Sequence, residues 1–156
     1  MASETRRFSR SSMIALLLLI PLSACFDAGA GSKRELVPLA GVWEAAVLSV
    51  PNPEIPSESI ELVGEGASYA LSILSTGRYT AVFDLVLVQG LEVGDVQVQG
   101  DQIILTPTSP PGTTMSGTWT LQGDLLTVDA LRKLDLDGDG ADEVVPFHLE
   151  LNRRDT

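Results

Sequence analysis

From Gly41 onward the chain alternates apolar and polar residues with period two, in short runs cut by Gly, Asp, Asn and Pro. Successive side chains of a strand point to opposite faces, so this is the pattern of strands with one buried face. Eight such runs are predicted, at 41–50, 67–74, 78–88, 93–99, 102–106, 115–121, 125–131 and 143–153. No internal run carries a convincing helical period, and only residues 57–63 are ambiguous. Eight antiparallel strands suffice to close a small barrel, which leaves no edge exposed. The expected fold is therefore all-β, an eight-stranded antiparallel up-and-down barrel over residues 41–154.

The connections sort by length. The second, fourth and sixth (75–77, 100–101, 122–124) are tight turns, whereas the first, fifth and seventh (51–66, 107–114, 132–142) are long. The third, Gln89 to Glu92, is intermediate. In a meander, alternate connections share an end. One end is thus closed by tight turns, and the other carries the loops where function concentrates. The alternation turns Trp43, Ala45 and Val47 inward, with Tyr69, Leu71, Ile73, Tyr79, Ala81, Phe83 and Leu85. It does the same for Val96, Val98, Trp119, Leu121, Leu126, Val128, Val145, Phe147, Leu149 and Leu151. The expected interior is almost wholly apolar.

The segment ahead of the barrel has a different character. Arg6, Arg7 and Arg10 precede an apolar run of about ten residues, Met13 to Leu22, which is shorter than the roughly 20 needed to span a bilayer. Leu22-Ser23-Ala24-Cys25 follows and holds the single cysteine of the chain. It resembles the bacterial lipobox. That resemblance implies removal of residues 1–24, diacylglyceryl attachment to Cys25 and a place in the bacterial cell envelope. Phe26 and Asp27 after the cysteine favour the periplasmic face of an outer membrane. Residues 25–40 then form the lipidated cysteine and a flexible, Gly-rich tether, with one short helical turn expected in Lys33 to Ala40. The 132 residues from Cys25 suit one domain. Without Arg6, Arg7, Arg10 and Glu4 they carry 7 basic against 20 acidic side chains, a formal charge of −13. Such a field repels nucleic acid and anionic head groups. With Cys25 lipidated no disulfide can form, so packing alone must hold the core, and a monomer is expected.

Gly41-Val42-Trp43 opens the first strand and Arg153-Arg154 closes the last. This resembles the lipocalin-like, calycin-type barrels, which place a basic residue from the last strand over the Trp of a Gly-x-Trp at the closed end. Arg153 shares the phase of Phe147, Leu149 and Leu151, and so is the expected partner of Trp43. Gly77-x-Tyr79 and the stretch Ser116 to Thr127 also look like bacterial lipocalin-like lipoproteins, and the resemblance covers roughly residues 36–154. It implies a small apolar ligand at the open end, held by interior residues such as Phe83, Leu85, Trp119, Val128 and Phe147. The alternative is a filled-core barrel serving as a structural or protein-interaction module.

One loop carries explicit ligand chemistry. Asp135-Leu136-Asp137-Gly138-Asp139-Gly140-Ala141-Asp142-Glu143 places oxygens at alternate positions and a glycine at the sharp turn, as Ca²⁺ coordination requires. Pro146 stands where an EF-hand needs its terminal Glu, so the loop is not an EF-hand. It more closely resembles the nine-position calcium loops of β-propellers. The expected ligands of a structural Ca²⁺ are the side chains of Asp135, Asp137, Asp139 and Glu143 and the carbonyl of Ala141. A solvated Asp-Gly hairpin loop has the same composition. His148, the only histidine, is expected to face solvent beside Glu150. No nucleophile–histidine–carboxylate arrangement, phosphate loop or inward carboxylate pair is legible, so no catalytic activity is expected.

Overall fold

The computed structural model describes residues 33–155 apart from Pro56, 86–87 and 136–139. A four-residue helix α1 (Lys33–Leu36) and one 3₁₀ turn (Val37–Leu39) lead into nine strands. These are β1 (Gly41–Pro51), β2 (Ser59–Glu61), β3 (Ser68–Ile73), β4 (Arg78–Asp84), β5 (Gln89–Gln99), β6 (Gln102–Ser109), β7 (Met115–Gln122), β8 (Leu125–Leu134) and β9 (Glu143–Arg153). From β3 to β9 each strand pairs antiparallel with the next in sequence. β1 pairs with β3 on one side and β9 on the other, so eight long strands close into an up-and-down barrel. The ninth, β2, lies within the ambiguous segment 57–63. It pairs with Ser49 to Pro51, beyond the part of β1 that pairs with β3, and so extends the wall at the open end.

The closed end is plugged from below. Leu36 and Leu39 are buried there, and Trp43 Nε1 donates to the Leu39 carbonyl at 2.8 Å. Above them Trp43, Leu71, Ile73, Tyr79, Val98, Ile103, Leu126, Val128 and Leu151 fill the lower half of the barrel. Val47 departs from the inward phase expected of it. The β1–β9 register shifts between Ala45 and Val47, a bulge that inserts one residue and flips the faces. Leu48 and Val50 consequently point into the core, and Val47 is only half-buried.

Three strands run further than the alternation indicated. β4 ends at Asp84 and β5 starts at Gln89, so the third connection falls at 85–88 rather than 89–92, with the Leu85 N–H donating to the Val88 carbonyl at 2.9 Å. β6 continues to Ser109 and β8 to Leu134. These extensions belong to the upper, open half of the barrel, and two of them bring charge inside it.

Candidate functional site

The open half of the barrel encloses a cavity of ≈ 790 Å³. Its walls come from the upper ends of the strands and the connections there. β1 supplies Leu48 and Val50, β2 Ile60, β4 Phe83, β7 Met115 and β9 Phe147 and Leu149, with Leu62 and Leu85 from the adjoining connections. Glu65, Lys133, Asp135 and Asp142 add polar character. Of the residues expected to hold a ligand, Phe83, Leu85 and Phe147 line this cavity. Trp119 and Val128 do not. Val128 is packed into the lower core, between Trp119 and Leu149 in register. Trp119 is half-buried near the tight β5–β6 turn, where its Nε1 donates to the Gly100 carbonyl at 3.0 Å. The barrel is therefore both filled and hollow: packed below, open above.

The interior is not wholly apolar, which corrects the expectation. Glu92 on β5 is 6% exposed and Arg132 on β8 has a side chain 14% exposed, and they meet across the barrel. Arg132 Nη2 donates to Glu92 Oε2 at 2.6 Å, and Nη1 reaches Oε1 at 3.4 Å. Tyr79 Oη donates to the same Oε1 at 3.0 Å. Gly94 makes room for the Tyr79 ring: a Cβ there would sit 2.6 Å from Tyr79 Cε1 and 2.2 Å from the Thr106 carbonyl oxygen. Burial, and then the Glu92 carboxylate, push the phenols of Tyr69 and Tyr79 well above their ordinary value of 10, so both remain protonated. Tyr69, 7% exposed, stacks on Phe83 with ring centroids 6.4 Å apart. Among the described residues the Tyr69 hydroxyl and the Arg132 Nε–H have no partner. Tyr69 and Arg132 line the cavity; Glu92 and Tyr79 stand behind them.

At the closed end the structure brings Trp43 and Arg153 together. They are register partners on β1 and β9, and Arg153 Cζ lies 4.1 Å from the indole ring centroid. The guanidinium also donates to the Ala40 and Pro38 carbonyls at 2.7 and 2.6 Å and pairs with Asp124 at 3.2 Å. Gly41 permits this. Its φ is +146°, and a Cβ there would lie 2.6 Å from Arg153 Nη1.

On the outer wall an open depression of ≈ 490 Å³ crosses β1, β7, β8 and β9 and includes His148 and Asp129. His148 Nδ1 lies 2.7 Å from Asp129 Oδ1, and Nε2 lies 3.6 Å from Glu150 Oε1. The hydrogen bond to Asp129 raises the imidazole above its ordinary value. Both ring nitrogens face carboxylates, which favours the protonated form of the ring.

Of the expected calcium ligands, Asp137 and Asp139 lie outside the described residues, as does Cys25. Asp135 Oδ2 accepts the Gly140 N–H at 3.0 Å, and Asp135 and Asp142 border the cavity mouth. Among the described residues no group of three or more His, Cys, Asp or Glu side chains is arranged to hold a metal, and no helix is long and apolar enough to cross a membrane.

Glu92 and Arg132 are the functional candidates that the sequence reading missed. Each lies on the inward phase of its strand, in register with Val96 and Val98 or with Leu126 and Val128. Period two alone would have found them, had the runs not been ended at the first charged residue on the inward phase; the outward Asp95 and Asp129 lie within them. No family model and no curated protein matches this chain.

Proposed function

We propose that this chain is a lipocalin-like lipoprotein of the bacterial cell envelope, anchored through lipid on Cys25, whose barrel takes a small apolar ligand at its open end. The observation that carries the ligand reading is the ≈ 790 Å³ cavity with predominantly apolar walls in the upper barrel. Cavities of roughly 300–1,000 Å³ with few polar groups suit small molecules. The anchor rests on Leu22 to Cys25 and the run before it. A Ca²⁺ ion in the 135–143 loop is part of the proposal, as a structural ion at the cavity rim. The packed lower half favours a second reading, a barrel whose core serves only stability and which acts through its outer surface.

Native mass spectrometry of the full-length protein released from bacterial membranes separates the two. The expected spectrum shows a diacylglyceryl adduct that Cys25→Ala abolishes, and a further noncovalent adduct of a small apolar molecule. Leu62→Trp, which fills the cavity, should remove the second adduct and keep the first. A parent protein that never carries or accepts an apolar molecule would leave the interaction module as the better account.

A further inference from the structure

Resting on the ligand reading above, we infer that the cavity selects apolar molecules bearing an uncharged hydrogen-bond acceptor, such as an ester or ketone carbonyl, which docks on Tyr69 and Arg132. Both residues stand on the cavity wall. Both carry an N–H or O–H that no described residue accepts. A buried donor left unpaired is costly, so an acceptor entering the cavity, met by a small turn of either side chain, recovers interactions that the empty barrel lacks. A saturated hydrocarbon of the same shape recovers none.

Charge balance decides which acceptor fits. Arg132 is already neutralised by Glu92 through two hydrogen bonds, at 2.6 and 3.4 Å. Glu92 is further held by Tyr79 at 3.0 Å. The cluster is neutral as it stands. On the rest of the lining Glu65, Asp135 and Asp142 outnumber Lys133, so an anionic head group would add negative charge to an acidic mouth and beside Glu92 in a site of low dielectric, which is expensive. A cation would face Arg132 with no free carboxylate among the four residues to receive it. A neutral carbonyl needs only donors, and donors are what remain.

The test uses the full-length protein in micelles with [1-¹³C]methyl laurate, [1-¹³C]laurate at pH 8, and dodecane as competitor. The bound ester carbonyl should resonate downfield of its micellar signal, as a hydrogen-bonded carbonyl does. Laurate and dodecane should each bind at least ten-fold more weakly than the ester. Tyr69→Phe should weaken ester binding about five- to ten-fold and leave dodecane binding unchanged. It should not lower the melting temperature of the empty protein, since the lost hydroxyl has no partner there. Dodecane binding as well as the ester, or an indifferent Tyr69→Phe, would overturn the inference and spare the apolar cavity. Tighter binding of the laurate anion would overturn the neutral-acceptor choice. Failure of all three probes to bind would remove the ligand reading itself.

Discussion

Two cationic side chains do opposite work in this barrel. Arg153 lies over a ring at the closed end, and Arg132 neutralises a carboxylate in the interior. A cation over an indole contributes about 0.5–2 kcal/mol, whereas truncating a buried Trp removes about 3–5 kcal/mol. Arg153→Ala also forfeits two hydrogen bonds to carbonyls, each about 1 kcal/mol. Trp43→Ala, which loses the cation–indole contact and the Nε1 bond to Leu39 as well as its packing, should therefore cost more in urea denaturation than Arg153→Ala, itself about 2.5–4 kcal/mol. Equal costs would mean that the carbonyl bonds, not the indole, hold this end together. At Arg132 the expected pattern is non-additive. Arg132→Met leaves Glu92 buried without its counter-charge and should cost about 3–5 kcal/mol. Adding Glu92→Gln, which keeps an acceptor for Tyr79, should recover most of that. A double variant as unstable as the sum of the singles would show that the pair contributes by shape rather than charge.

Strand length decides what each element contributes. β5 and β8 were legible from Val96-x-Val98 and Leu126-x-Val128, but their upper ends were not. There the inward positions are Gly90, Glu92 and Arg132, and a charged or side-chain-less residue reads as loop unless its partner across the barrel is known. The β1 bulge was illegible for a different reason. Ala45, Ala46 and Val47 are all apolar, so nothing in the sequence marks which one is extra. Loop order, by contrast, was readable, because turn length depends on local residues such as Gly77, Gly100 and Gly123. Across β8 and β9, His148 binds Asp129 with a raised pKa. A folded value above the unfolded one stabilises fully below the ordinary 6.5 and is lost as pH rises through the folded value. Stability should thus fall with rising pH across that window. The fall should stay within about 0.2–1 kcal/mol for so exposed a pair, and His148→Gln should flatten it. Between the same strands, Ca²⁺ in the 135–143 loop should raise the melting temperature of the parent at millimolar concentration and not that of Asp137→Ala. Identical melting curves with and without the ion would leave a plain Asp-Gly hairpin loop.

At the scale of the whole molecule, the end at which the chain enters fixes how an anchored barrel stands. Residues 33–39 pack beneath the closed end. Arg153 holds the Pro38 carbonyl, and a Cβ on Gly77 in the β3–β4 turn would lie 3.6 Å from Leu36 Cδ1. The eight residues 25–32 reach at most about 26–29 Å at roughly 3.3–3.6 Å each. An eleven-residue strand such as β1 is about 35 Å long at roughly 3.2–3.4 Å per residue. A lipid on Cys25 would then keep the tight turns beside the bilayer and point the cavity mouth into the aqueous compartment. Ligand exchange would pass through water or a partner rather than laterally from the membrane. Site-specific fluorophores can check this, because a lipidated Cys25 leaves an introduced cysteine as the only free thiol. In vesicles containing quencher lipids, a label at Asp101→Cys, in the closed-end turn, should be quenched more strongly than one at Thr114→Cys, at the open end. Stronger quenching at Thr114→Cys would put the mouth on the membrane surface. That result would make the bilayer itself the source of the ligand.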